Sequence, residues 1–139
     1  MRHARGLLDT STVLLLPQIT DPERLPLEPL ISTITLAELS VGPLVATDDE
    51  ERARRQAQLQ QAESDFEPLP FDAAAARAFG QVAASLRRSG RKPAARAYDA
   101  MIAAIARSND LPVYTCNPAD FRAIDGVTVV DVPYGSRLA

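Results

Sequence analysis

The sequence predicts an α/β fold in which a central, mostly parallel sheet of about five strands lies between helices. Two observations support this. Short apolar runs alternate with longer segments of helical composition along the 139 residues, an order typical of a parallel sheet with helices on both faces. Polar or acidic side chains also follow several of the apolar runs, where sheets of this kind carry their active sites. We expect a single domain over residues 1–139, with a core at about 6–131 and a short C-terminal tail.

The first third of the chain predicts two strands joined by a helix and a loop. Residues 6–9 are a short apolar run that suits a strand, and Thr10 or Ser11 then caps a short helix. The segment 17–29 contains four prolines and is therefore predicted to be a loop. A second strand is expected at residues 30–32.

Two helices are predicted to follow the second strand. The first begins at Thr33 or Thr35 and ends near Gly42. Asp48 then caps a long polar helix that reaches about Ser64, with acidic residues favourably placed in its first turn.

The remaining elements continue the alternation of strands and helices. Residues 67–71 predict a third strand, and their two prolines favour an edge position. Asp72 caps an alanine-rich helix that ends near residue 89 or 90. The rest of the chain is predicted to form a helix at about 95–109, a strand at 113–115, a short helix near 119–124 and a strand at 128–130.

Composition excludes several kinds of chemistry. With Cys116 as the only cysteine and His3 as the only histidine, the chain has no internal disulfide, cysteine-based zinc site or Ser-His-Asp triad. The apolar runs are too short to cross a bilayer, and Asp9 interrupts any secretory apolar run. We therefore expect a cytoplasmic protein without a membrane partner, whose chemistry depends on carboxylates, hydroxyls and a metal.

Acidic or amide side chains stand in four separate motifs, each where an apolar segment ends or a helix begins. Burying a carboxylate is costly unless a cation or a donor compensates it. Collecting several of them at one point is the natural way to hold Mg²⁺ or Mn²⁺, which prefer oxygen ligands. The candidates are Asp9, Glu38, Asp99, Asn117 and Asp120.

Each candidate also has a purely structural interpretation. Asp9 suits a helix N-cap, and Glu38 suits the solvent-facing side of a helix. Asp99 is less easily explained, because its helix continues with residues 100–106, which are almost all apolar and should be buried. A carboxylate in the first turns of a buried helix is either stabilised by the helix dipole and hydrogen bonds or binds a cation.

Basic residues are concentrated before Asp99. Six lie between residues 73 and 98, where no acidic residue occurs, although the net charge of the chain is −3. This run is either a solvated helix face and loop or a strip that guides phosphates towards Asp99. The nearest in sequence, Arg91, Lys92 and Arg96, are the candidates for phosphate contacts.

Four segments together resemble the PIN-domain endoribonucleases, specifically the VapC-type toxins of bacterial toxin–antitoxin pairs. The resemblance covers about residues 6–131. The matching segments are Leu8-Asp9-Thr10-Ser11, Thr33-Ile34-Thr35-Leu36-Ala37-Glu38-Leu39, Asp99 with Ile102-Ala103-Ala104, and Thr115-Cys116-Asn117-Pro118-Ala119-Asp120-Phe121.

The resemblance implies a three-layer α/β/α fold and a Mg²⁺- or Mn²⁺-dependent site that hydrolyses RNA phosphodiesters. Carried over by position, Asp9, Glu38 and Asp99 would form the acidic metal site, in which Glu38 either binds the metal or orients the attacking water. Thr115 would complete the site together with Asn117 or Asp120. Thr10 or Ser11 would orient Asp9.

The resemblance also implies partners. These are a VapB-like, DNA-binding antitoxin whose C-terminal segment covers the site, an RNA substrate, and a second copy of the chain in a homodimer. One alternative is a catalytically weak PIN fold that serves as an RNA-binding or scaffold subunit, because Asn117 stands where a carboxylate is possible. A Mg²⁺ phosphotransfer domain of doubly wound fold is less well supported, because its phosphate-cradling glycine loop is missing.

Overall fold

The computed structural model describes residues 2–92 and 96–135. Their strands form one parallel sheet in the order β2-β1-β3-β4. The strands are β1 (Arg5–Leu8), β2 (Glu28–Leu30), β3 (Val113–Thr115) and β4 (Val129–Asp131). The predicted parallel sheet is confirmed, with four strands where about five were expected.

The register of the strands determines which residues follow the sheet at the same edge. Leu7 of β1 pairs with Leu30 of β2 and with Val113 of β3. Leu8 is the last residue of β1 and pairs with Tyr114, one residue before the end of β3. The residues that follow these two central strands, beginning at Asp9 and Cys116, therefore start at the same edge of the sheet.

Five helices surround the sheet within the described residues. They are α1 (Thr10–Leu15), α2 (Thr33–Val45), α3 (Asp49–Asp65), α4 (Ala73–Arg88) and α5 (Ala97–Ser108). The first four begin at side-chain caps, in which Asp9, Ser32, Asp48 and Asp72 accept a hydrogen bond from a backbone N–H of the first turn. None of the helices in the described ranges combines the length and apolar character needed to cross a bilayer.

Two apolar cores lie on opposite faces of the sheet. Leu7 and Val113 pack in one core, against residues of α4 and α5. The next residues along the same strands, Leu8 and Tyr114, pack in the other core, against residues of α2 and α3 such as Leu39. Because successive strand residues point to opposite faces, the sheet is the middle layer of an α/β/α structure.

Several predicted boundaries shift in the structure. The second strand lies at Glu28–Leu30, two residues before its predicted position at 30–32. The prediction of a strand at 67–71 was wrong, because only Leu69 forms a bridge, to Ser32. Pro68 and Pro70 have no N–H to donate to a ladder, so pairing does not extend beyond this bridge.

Helix ends also differ from expectation. The first helix is capped by Asp9 rather than by Thr10 or Ser11. The second extends through Pro43 to Val45. The predicted short helix near 119–124 is a 3₁₀ turn at Pro118–Asp120.

The other helix boundaries agree with prediction to within two residues at the ends that the structure describes. The predicted start of the last long helix at about residue 95 lies outside the described residues.

Candidate active site

Asp9 links β1 to α1 and is the most enclosed carboxylate of the candidate site. Its side chain lies at the end of a buried strand, and only 3% of the residue is exposed. Ser11 Oγ donates to both carboxylate oxygens at 2.9 and 3.0 Å, and Thr12 donates from its backbone N at 3.0 Å and its hydroxyl at 2.7 Å. Thr115 Oγ1 donates from β3 at 2.7 Å. These donors compensate the buried charge and fix the orientation of the carboxylate.

Glu38 lies on α2 and is held next to Asp9 by a hydroxyl pair. Thr10 Oγ1 donates to Glu38 Oε1 at 2.7 Å and lies 3.0 Å from Thr35 Oγ1. Because Thr10 has one proton to give, Thr35 is the donor within this pair. Burial raises the pKa of Glu38, the Thr10 hydrogen bond lowers it, and the negative charge of Asp9 raises it further.

Asp99 lies in the first turn of α5, where the negative charges of the site act together. Burial is the largest cause that raises its pKa, to about 6. The charges of Asp120, Asp9 and Glu38 raise it as well, while the Arg96 guanidinium lowers it. Asp9, Glu38 and Asp120 therefore lie close enough to Asp99 to oppose its ionisation.

The segment after β3 supplies the remaining predicted side chains. Thr115 Oγ1 donates to Asp9 and accepts a hydrogen bond from the backbone N–H of Asn117 at 2.9 Å. The Asn117 side chain is exposed and does not cap the 3₁₀ turn that it precedes. Thr115 thus connects the turn directly to the most buried carboxylate.

Asp120 is the carboxylate of this segment that acts on Asp99. It accepts a hydrogen bond from Arg96 Nη1 at 2.6 Å, and both side chains of this ion pair are about one third exposed. Arg96 is the residue immediately before α5, so the ion pair joins the start of that helix to the turn after β3. Of the two candidates for the fourth position, Asp120 is the one whose charge acts on Asp99, whereas Asn117 is neutral and has no charge to contribute.

The donors at this edge of the sheet are carboxylate and hydroxyl oxygens, which Mg²⁺ and Mn²⁺ prefer. A cation would also relieve the mutual repulsion that raises the pKa of Asp99. Chemistry and charge therefore fit the implied metal. Across 2–92 and 96–135, however, no three acidic, histidine or cysteine side chains form a ready-made ligand cluster.

The predicted basic residues differ in their positions. Arg96 contacts the site through Asp120. Lys92 is exposed and Arg91 is half-buried, and no hydrogen bond or ion pair within the described residues joins either to the carboxylates. The basic run therefore reaches the acidic site at Arg96.

Several hydroxyl roles were not foreseen from the sequence. Ser11 does hydrogen bond to Asp9, but Thr10 orients Glu38 instead. Thr12 and Thr35 were missed. Thr12 stands three residues after the N-cap, a position whose backbone N–H a cap commonly binds, so that spacing was an available signal. No feature of the sequence indicated the role of Thr35, because that role depends on the packing of α2 against α1.

Acidic residues from three other parts of the chain thus act on Asp99 within a three-layer α/β/α fold. Residues 7–127 match the family model described as PIN domain.

Similar proteins identify the family within the PIN-domain class. The chain is 39% identical to Ribonuclease VapC5 of Mycobacterium tuberculosis over 131 residues, which cover 93% of this chain and 94% of that protein. It is 37% identical to the tRNA(fMet)-specific endonuclease VapC of Shigella flexneri over 101 residues, 73% of each chain. The chain therefore belongs to the VapC family of PIN-domain proteins.

Solved structures show the same relationship. The crystal structure of VapBC-5 from Mycobacterium tuberculosis, described as a member of the VapBC family of toxin-antitoxin systems, contains a chain with a TM-score of 0.81 and 38% identity. The match covers 93% of this chain and 99% of that one. DNA-bound VapBC from Salmonella typhimurium contains a chain with a TM-score of 0.73 and 34% identity, covering 94% of this chain and 98% of that one.

Proposed function

We propose that this chain is a Mg²⁺- or Mn²⁺-dependent endoribonuclease and the toxin of a bacterial toxin–antitoxin pair. The observation that carries the proposal is the action of Asp9, Glu38 and Asp120 on Asp99, in a site where hydroxyl groups hold Asp9 and Glu38 in place. Such a concentration of negative charge is unfavourable without a compensating cation, and perturbed carboxylates of this kind are typical of functional sites. Two relatives of the chain are named as a ribonuclease and a tRNA(fMet)-specific endonuclease.

The side chains have separate tasks in this proposal. Asp9, Asp99 and Glu38 hold the metal, and Asp120 adds negative charge beside Asp99. When bound, the metal supplies charge neutralisation at the scissile phosphate and a more acidic water. Asn117, which cannot ionise, positions the substrate through hydrogen bonds.

Hydroxyl groups keep the metal-holding side chains in place. Ser11, Thr12 and Thr115 fix the carboxylate of Asp9. Thr10 fixes Glu38 and so prevents it from turning towards solvent. Pre-orientation of this kind reduces the rearrangement needed when a metal and a phosphodiester bind.

We further propose a VapB-like, DNA-binding antitoxin as the partner that silences the site. The matched chains occur in VapBC assemblies, one of them bound to DNA. An apolar pocket of about 110 Å³ between α1, α2 and α3 suits an apolar segment of such a partner, and its lining includes Val13, Leu16 and Phe66. The homodimer remains part of the proposal, and the exposed Leu44 is a suitable contact for either partner.

Cleavage assays on bulk bacterial transfer RNA test the proposal. We expect the purified chain to cut RNA with Mg²⁺ or Mn²⁺ and to lose this activity in excess EDTA. Asp99→Asn is expected to abolish cleavage without unfolding the protein, whereas Asp49→Asn, which removes an exposed carboxylate from the first turn of α3, should leave cleavage unchanged.

Two results would contradict the proposal. Cleavage that continues undiminished in EDTA would exclude the metal-dependent mechanism. A folded wild-type protein that binds RNA but cleaves none with either metal would favour the scaffold alternative.

A further inference from the structure

A cleft of about 410 Å³ between α2 and α3 opens directly from the candidate active site. Its lining includes Thr10 and Glu38, which belong to the acidic site, and Arg54 and Arg55 of α3. One continuous cleft thus brings a basic pair within reach of a molecule that is bound at the carboxylates.

The two arginines share a single acidic partner. Glu51 forms an ion pair with Arg54 and accepts a hydrogen bond from Arg55 Nε at 2.7 Å. Arg55 also donates from Nη1 to the Gly42 carbonyl of α2 at 2.9 Å, which holds it across the cleft. Two cations facing one anion leave this group with a net positive charge.

Arg54 is the more accessible of the two arginines. Its side chain is 60% exposed, against 35% for Arg55. A guanidinium has five N–H donors in a planar fork that fits a phosphate, and one ion pair does not use all of them. Arg54 can therefore bind a phosphate while Arg55 maintains the local positive charge.

The negative charge of the site and of the whole chain explains why the proposed reaction needs the cationic pair Arg54 and Arg55. The carboxylates of the site repel RNA, and the chain has a net charge of −3. Phosphates on either side of the scissile bond must therefore be held by local cations. Arg96 is a cation on the α5 side of the site, but it is already paired with Asp120.

We propose that the cleft between α2 and α3 binds the RNA strand that flanks the scissile phosphate, with Arg54 contacting a neighbouring phosphate and Arg55 in a supporting role. The proposal rests on the ribonuclease function argued above. It adds a cationic contact on the α3 side of the site to the path of the RNA.

Binding of bulk transfer RNA in EDTA tests this inference without requiring cleavage. Arg54→Gln is expected to weaken binding roughly fivefold and to reduce the slope of log affinity against log salt by about one. Glu51→Gln should have the opposite effect, because it removes the anion that competes with phosphate. Arg55→Gln is a less specific test of phosphate binding, because it would also remove the hydrogen bond to the Gly42 carbonyl.

Arg52→Gln is the matched control. Arg52 lies on the same helix and forms an ion pair with Asp49 at 2.8 Å, but it does not line the cleft. It should have much less effect than Arg54→Gln, although both variants change the net charge equally.

The outcomes separate this inference from the proposed function. Equal RNA affinities for Arg54→Gln and Arg52→Gln, in a protein that still cleaves RNA, would overturn the inference and leave the function intact. Weakened RNA binding in Arg54→Gln alone, in a protein that never cleaves, would support the cleft and contradict the function. If Arg54→Gln weakened only the binding of an antitoxin peptide, the cleft would belong to that partner and the inference would be wrong.

Discussion

Asp99 is the residue at which the opposing forces of the site are most evident. Burial and three neighbouring carboxylates disfavour its ionised form, and Arg96 only partly offsets them. Its place in the first turn of α5 favours a negative charge, as the helix dipole does generally. The raised pKa shows that the unfavourable influences prevail when no metal is bound.

Replacing Asp99 by Asn should therefore stabilise the metal-free protein in a pH-dependent way. The pKa rises from 3.8 to about 6 on folding, so the ionised side chain destabilises the folded state fully above pH 6 and not at all below about pH 4. Such a pKa change corresponds to about 3 kcal/mol before solvent screening. We expect Asp99→Asn to raise the free energy of unfolding by about 1–2 kcal/mol at pH 8, and we expect this increase to decline between pH 6 and 4.

Urea unfolding in EDTA at several pH values would measure this gain. Asp49→Asn is the control, because its fully exposed carboxylate also lies in the first turn of a helix. A gain in Asp99→Asn that is absent at pH 8, or that is the same at pH 4 and pH 8, would contradict the assigned charge interactions.

At the scale of elements, the central strands and the helix caps place the site. Asp9 follows β1 and caps α1, while Thr115 ends β3 and donates to Asp9. Ser32 caps α2 by accepting from Thr35 N at 3.1 Å, which sets the rotation of the helix that carries Glu38. Small displacements of β1 against β3 would therefore move the hydroxyl groups that hold Asp9.

Gly6 in β1 leaves room for the ring of Tyr114, which belongs to β3. A Cβ atom at this position would lie 2.5 Å from Cε1 of Tyr114, whose ring is buried in the core. Gly6→Ala should therefore destabilise the fold by about 1–3 kcal/mol, because the ring must shift in a packed environment.

Gly80→Ala provides a contrasting control in α4. A Cβ atom there would have nothing within 4 Å. Alanine at an exposed helical position is expected to add about 0.5–1 kcal/mol. Denaturant unfolding of both variants would check the pair, and a Gly6→Ala protein as stable as wild type would show that Tyr114 yields without cost.

At the scale of the whole molecule, the proposed metal site couples ligand binding to folding. The metal-holding side chains come from β1 with α1, from α2 and from α5, which are far apart in sequence. They come together only in the folded chain. A cation that bridges them should bind the folded state preferentially and raise its stability.

Adding Mg²⁺ should raise the melting temperature of wild-type protein more than that of Asp99→Asn. At a free Mg²⁺ concentration 100 times the Kd, binding stabilises the folded state by about 2.7 kcal/mol, which corresponds to a shift of several degrees. Thermal melts at equal ionic strength, balanced with NaCl, separate this effect from screening. Equal shifts in the two proteins would exclude Asp99 as a ligand.

The sequence predicted most elements because their signals are local. Asp48 and Asp72 cap the helices that were expected to follow them, and the apolar run at 113–115 forms the expected strand. The predicted bounds of strands and helices were less accurate near prolines. Pro29 lies inside β2 and Pro43 lies inside α2. Proline has no backbone N–H, so the local sequence predicts a break at both positions. The edge strand β2 and the packed helix α2 nevertheless tolerate the missing donor.

The sequence alone determined the class of fold, the acidic residue types and the resemblance to one family, because strand and helix periodicity and short motifs are properties of consecutive residues. Only the tertiary structure decided which side chains act on one another: Thr10 on Glu38, Asp120 with Arg96 beside Asp99, and Arg54 and Arg55 along the cleft next to Glu38. These relations depend on helix packing and strand register over long sequence separations. Charge interactions and hydrogen bonds depend on distance in space, which no local pattern specifies.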